Sequence, residues 1–159
     1  MRRQEREITD AGKLTAVLES CQCCRVGFAD GGQAYIVPLN FGYVEAEGQY
    51  TFYFHSAKEG RKMELIRKSP SAGFEMDTDY ALKTASSACG HSAYFRSIIG
   101  NGKVSIVEDR EEKKLGLQQI MEHTTGKSEW EFADKMLDAV CVWKLSVNEM
   151  TGKENGKES

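Results

Sequence analysis

Apolar residues recur at every second position along several stretches of this chain and at helical spacing along others. Residues 24–30, CRVGFAD, put Val26 and Phe28 on one face, which predicts a strand. Asp30-Gly31-Gly32 follows as a hairpin turn signal, because its glycines supply positive φ. Residues 33–43 predict a long return strand. Its bulky face is Tyr35, Val37, Leu39, Phe41 and Tyr43; its other face is Ala34, Ile36, Pro38, Asn40 and Gly42. Residues 44–48 read as a polar turn and 49–56 as the next strand, with Tyr50, Phe52 and Phe54 opposed to Thr51, Tyr53 and His55. A short strand holds Ala72, Phe74 and Met76, and 78–90 reads as a loop. Strand character returns over 91–107, where Gly100-Asn101-Gly102 is either a hairpin turn or a bulge in one long strand. Residues 139–147 are apolar on both faces apart from Lys144 and Ser146, which predicts a central strand.

Helical spacing is present over 7–20, capped by Thr9 or Asp10, and over 58–68, with Met63, Leu65 and Ile66 buried. A third helix over 109–124 has Asp109 as cap and Glu112 three residues on, as in a capping box, with Leu117, Ile120 and Met121 inward and Gly126 at its end. A further short helix is predicted over 129–137, and 149–159 reads as a polar tail. The sum is a single domain over 1–159, mainly β and α+β in detail: an antiparallel β-barrel of about six strands with peripheral helices.

The net charge of −3 argues against nucleic acid as the main partner, and no apolar run is long enough for a membrane-spanning helix. The charged N-terminus has no apolar core of a secretory signal, so a cytoplasmic protein is expected. Five cysteines, an odd number, fit reduced thiols. Cys21 and Cys24 form a C-x-x-C that Cys89 and His91 could complete as a zinc site. The other reading is small buried residues leading into a strand, and no metal is expected.

Three features of 33–62 resist a purely structural reading. Pro38 interrupts the best strand and marks an edge or a bulge, since it has no N–H to donate. His55 and Ser56 end the next strand. Arg61 and Lys62 fall in the first turn of a helix, where free N–H groups already carry partial positive charge. Cations there make sense if an anion such as a phosphate binds, with Ser56 capping the helix or bonding that anion.

The segments RVGF (25–28), YIVPLNFGY (35–43), FYFHSAKEGRK (52–62), YFRSIIGNGKV (94–104) and TGK (151–153) occur in an order that resembles the pyridoxamine 5′-phosphate oxidase-like, FMN-binding split-barrel superfamily. Within it the chain is most similar to the 5-nitroimidazole-resistance branch. The resemblance implies a six-stranded antiparallel split barrel and a homodimer with FMN between the two barrels. It further implies that Val37, Pro38, Leu39, Asn40 and Phe41 run beside the flavin ring. His55, Ser56 and Ala57 would line the ribityl and phosphate end, Arg61 and Lys62 would hold the phosphate, and Ser97 and Ile98 would touch the flavin from a neighbouring strand. Trp143 or Trp130 would close the site. The implied activity is FMN-dependent reduction of nitroaromatic or similar small substrates, with His55 as proton donor or as packing beside the phosphate. Two alternatives remain: a flavin- or haem-binding module without turnover, and a pyridoxamine 5′-phosphate oxidase. The tail NEMTGKENGKES lacks the arginine-rich segment expected of the latter.

Overall fold

The computed structural model describes residues 3–156. Eight strands form one antiparallel sheet: β1 (Glu7–Ile8), β2 (Cys24–Asp30), β3 (Gln33–Leu39), β4 (Gly42–Ala46), β5 (Gln49–Ser56), β6 (Ser71–Lys83), β7 (Ser92–Ile106) and β8 (Cys141–Asn155). Four helices flank it: α1 (Ala11–Ser20), α2 (Arg61–Lys68), α3 (Arg110–Thr125) and α4 (Asp134–Ala139). The strand path runs β3-β2-β6-β7-β8-β5-β4, with β1 added to the far end of β8. It does not close, so the fold is a split-barrel-like α+β arrangement.

The split corrects the longest predicted strand. Residues 33–43 are two strands that lie at opposite ends of the sheet, joined through Asn40 and Phe41. β4 then takes in Val44 to Ala46, leaving only Glu47-Gly48 as the turn. The extra strands β1 and β4 raise the count above the six expected. β1 replaces the start of the first predicted helix; Ile8 lies opposite Gly152 of β8, and Asp10 caps α1 by accepting from Lys13 N–H at 2.7 Å. β6 runs to Lys83, past a register shift at Thr78/Ala81, so half of the expected 78–90 loop is strand. Gly100-Asn101-Gly102 is no hairpin: β7 runs through it without a break, and the irregularity opposite it is one extra residue in β8, Asn148, where the register slips between Asn101 and Gly102. The polar tail is strand as far as Asn155, where β8 ends. Residues 157–159 lie outside the described residues.

Alternation places one core inside the barrel: Val26, Phe28, Phe52, Phe54, Phe74, Met76, Ile98, Val104, Trp143 and Leu145. A second core fills the space between the outer face of β5 and β8 and the helices α3 and α4, with Tyr53, Val142, Leu117, Ile120 and Leu137. This second layer is why β8 is apolar on both faces. α3 sits against β4 so closely that a Cβ on Gly42 would lie 2.2 Å from the Gln119 carbonyl carbon. α3 begins at the Asp109 cap, which accepts from Glu112 N–H at 2.8 Å, and ends at Gly126 in the left-handed region. The Glu112 carboxylate does not turn back to close a capping box. It takes the Lys144 ammonium at 2.5 Å and the Tyr53 hydroxyl at 3.1 Å. The short helix expected over 129–137 begins later, at Asp134.

Candidate functional site

The split leaves two strand edges without a ladder partner. β3 is the end of the path, paired only with β2, and Pro38 sits there at no cost because its missing N–H faces no strand. On the other side, the β4–β5 ladder stops at Gly42 opposite Tyr53. Asn40 and Phe41 lie just beyond that ladder and carry the chain across to β3, while β5 continues to His55 and Ser56. The chain then passes Ser56 and Ala57 and enters α2, where the Arg61 guanidinium lies 4.6 Å above the Tyr35 ring. The segment 55–61 therefore leaves β5 near the link between β3 and β4 and reaches Tyr35 of β3 and Asp30 of the β2–β3 hairpin at Arg61, with residues 35–40 flanking a groove. At strand rise this groove is about 17 Å long. Phe41 fixes its corner: the ring is fully buried, edge-on to Phe52 at 5.9 Å and 4.3 Å from His123, whose Nε2 is 2.7 Å from the Cys21 carbonyl oxygen.

Pro38, Asn40, His55 and Ala57 are exposed, while the side chains of Val37 and Leu39 turn toward the core and leave only backbone for a ligand. Phe41 is likewise limited to its backbone. Ser56 does not cap α2; its hydroxyl faces Met63 Sδ at 3.2 Å, and the N-cap is Gly60, which has no side chain to bond. Ser97 and Ile98 do not join the group within this chain. They lie on β7, separated from β3 by β2 and β6, and Ile98 is fully buried in the core. Trp143 cannot act as a lid. It is fully buried, stacked on Phe54 at 4.3 Å, and its Nε1 has no hydrogen-bond partner. Trp130 lies beside α3, near Glu111, Lys114 and Leu115, and donates its Nε1–H to the Lys127 carbonyl at 2.9 Å.

The two cations of α2 differ in a way the sequence does not reveal. Arg61 already has an anion: its Nε and Nη2 reach Asp30 Oδ2 at 2.9 and 2.7 Å. Lys62 has none. Among the described residues no carboxylate comes within ion-pair distance of it, and its ammonium lies 5.9 Å from the Trp143 ring centroid. Burial lowers its pKa from the ordinary lysine value, slightly offset by the Cys141 thiol nearby. A partly buried cation without a counterion, beside a helix N-terminus that has no side-chain cap, suits a phosphate monoester. The open edges of β3 and β5 supply backbone donors and acceptors of the kind a planar polar ring uses. The residues present therefore fit a phosphate-bearing flavin.

The cysteines do not assemble a metal site: among the described residues no three His, Cys, Asp or Glu side chains converge to hold an ion. Cys21 and Cys24 are buried, and burial pushes the Cys21 thiol up to about 11 and Cys24 higher still. Cys89 is exposed on the β6–β7 loop, and His91 Nδ1 lies 2.9 Å from the Ser87 carbonyl oxygen. No helix among the described residues is long and apolar enough to cross a membrane.

The pyridoxamine 5′-phosphate oxidase family model matches residues 10–154, nearly the whole of the sheet and its helices. The chain belongs to that family. A solved candidate 5-nitroimidazole antibiotic resistance protein from Bacteroides thetaiotaomicron VPI-5482 is 33% identical to this family member. The match covers 92% of this chain and 85% of that one, with a TM-score of 0.79. Flavocytochrome Anf3 from Azotobacter vinelandii matches over 98% of this chain and 72% of its own, at 21% identity and TM-score 0.78. A protein from Mycobacterium smegmatis described as binding FAD and haem matches over 97% and 76%, at 16% identity and TM-score 0.78. The last two establish the shared fold alone. No curated protein is similar enough to match.

Proposed function

We propose that this protein binds FMN and acts as an oxidoreductase on nitroaromatic or similar small substrates, as a homodimer with the flavin at the subunit interface. The observation that carries the reading is Lys62: a partly buried ammonium without a carboxylate, at the N-terminus of α2 and at the phosphate end of the groove. The relation to the Bacteroides protein, a candidate 5-nitroimidazole resistance protein, favours nitro-group reduction over other flavin chemistry.

When bound, the flavin supplies the redox chemistry. The chain's own residues bind and orient it. Lys62 and the N–H groups of α2 hold the phosphate. The free edge of β3 over Val37 to Asn40 meets the ring, with Asn40 at its polar side. His55, exposed at the end of β5, hands a proton to the reduced substrate. The outer face of β2, β3, β6 and β7 is the surface for the second copy. Ile36 is 60% and Ile99 55% exposed there, and Gly27, Ala34, Gly73 and Asn101 line a shallow depression of about 660 Å³. On that face Ser97 of a partner could reach a flavin that Ser97 of the same chain does not.

The test is an absorption spectrum of the purified protein after FMN addition and desalting, followed by anaerobic assay with a reductant and a nitroimidazole. Retained flavin bands and nitro-group loss are the expected results. Retained flavin without turnover would leave a non-catalytic flavin module, and a colourless protein would overturn the reading.

A further inference from the structure

Asp30 is the least explained member of the groove. It ends β2, opens the Gly31-Gly32 hairpin, and places one carboxylate oxygen against two nitrogens of Arg61 at 2.9 and 2.7 Å. Its side chain is only 26% exposed, and the guanidinium it holds is simultaneously stacked over Tyr35. At a helix N-terminus that already favours anions, this is one negative charge set beside one of the two cations. The pair sums to zero, whereas Lys62 has no carboxylate within ion-pair distance among the described residues.

We propose that Asp30 is a built-in competitor for the phosphate: it lowers the affinity of the groove for phosphate-bearing flavins while leaving the ring-binding part untouched. The inference rests on the flavin reading above and concerns the selectivity of that same site. A phosphate dianion that recruits Arg61 must either draw the guanidinium from Asp30 or share it with the carboxylate. Both routes carry a cost set by Asp30, through a lost ion pair in the first and like-charge repulsion in the second. Riboflavin has no phosphate and encounters neither. The same arrangement gives Arg61 a stable position when no ligand is bound, which an isolated cation on the first turn of α2 would lack.

The experiment compares FMN and riboflavin binding to the wild-type chain and to Asp30→Asn by quenching of flavin fluorescence at fixed ionic strength. Asp30→Ser serves as a second variant that removes the carboxylate with a different side chain. Removing the charge is expected to tighten FMN about fivefold, with riboflavin unchanged. FMN binding that is unchanged or weaker in both folded variants overturns the inference alone, and would make Asp30 a residue that positions Arg61 for the phosphate. Equal tightening of riboflavin overturns it too, because the effect would then lie outside the phosphate. Absence of FMN uptake by wild type and variants alike overturns the flavin reading and the inference with it.

Discussion

Replacing Lys62 by Met should stabilise the free protein and weaken FMN binding at once. The ammonium gives up part of its hydration in the groove and receives no carboxylate in return. A thioether of similar length keeps the contact with the Trp143 ring and removes the desolvation. Solvent still reaches the side chain, so the gain is modest, on the order of 1 kcal/mol. For a chain of this size that raises Tm by roughly 2–4 °C. The cofactor loses a charge-assisted hydrogen bond worth about 1.5–3 kcal/mol, or roughly 10- to 150-fold in Kd. The pH dependence follows from the same cause. The folded state lowers the lysine pKa, so over the interval up to the ordinary value the unfolded chain holds more protons. Stability of the free wild-type protein therefore rises with pH through that interval, and the Met variant lacks this contribution. Thermal melts at fixed protein concentration and FMN titrations read both effects. A Met variant that melts lower and binds FMN as tightly as wild type would make Lys62 a packing residue and refute the phosphate assignment.

Gly42→Ala should cost about 3 kcal/mol or more, because the added Cβ meets the backbone of α3 at Gln119 and Ile120, which cannot move aside as a side chain could. Urea denaturation at wild-type midpoint would contradict that packing. Burial, reinforced by the Glu112 carboxylate, pushes the Tyr53 hydroxyl up to about 12. The unfolded chain therefore loses that proton first, and stability should fall between pH 10 and 12. Glu112→Gln should bring Tyr53 ionisation to lower pH in an ultraviolet titration. It should also cost about 1–2 kcal/mol by leaving Lys144 without its carboxylate. An unshifted tyrosine titration would remove Glu112 as a cause.

Local alternation located β2 and β5 to the residue, since each is bounded by turn residues and buries one face in the barrel. It failed at 33–43 for a physical reason. The period of two continues unbroken through Asn40 and Phe41, while the chain leaves one edge of the sheet and joins the other. Periodicity reports which face a residue takes, not which strand it pairs with. The far part of β8 was illegible for the converse reason: Glu149, Lys153 and Glu154 are polar, yet they pair with β7 and, at Lys153, with β1. At the groove, residue types marked the anion end because cations on a first helical turn break a local rule. That Arg61 is satisfied by Asp30, 31 residues earlier, was invisible, since no short-range pattern links a hairpin residue to a helix start.

The distribution of ion pairs bears on why Lys62 is left alone. Arg25 has Glu75 and Asp77, Arg96 has Asp79, Arg110 has Asp134 and Asp138, and Arg61 has Asp30. Most of these pairs are well exposed, where each adds little to stability. Lys62 is partly buried, where a carboxylate would matter more, and it has none. Its neighbour Trp143 is fully buried with an unpartnered Nε1, and α2 begins on Gly60 without a side-chain cap. Each departure disfavours the free fold, and all three converge where the end of β5, the start of β8 and the first turn of α2 meet. A chain selected only for stability would place an acid there before pairing arginines in solvent. Concentrated local cost of this kind is expected where a ligand completes the structure.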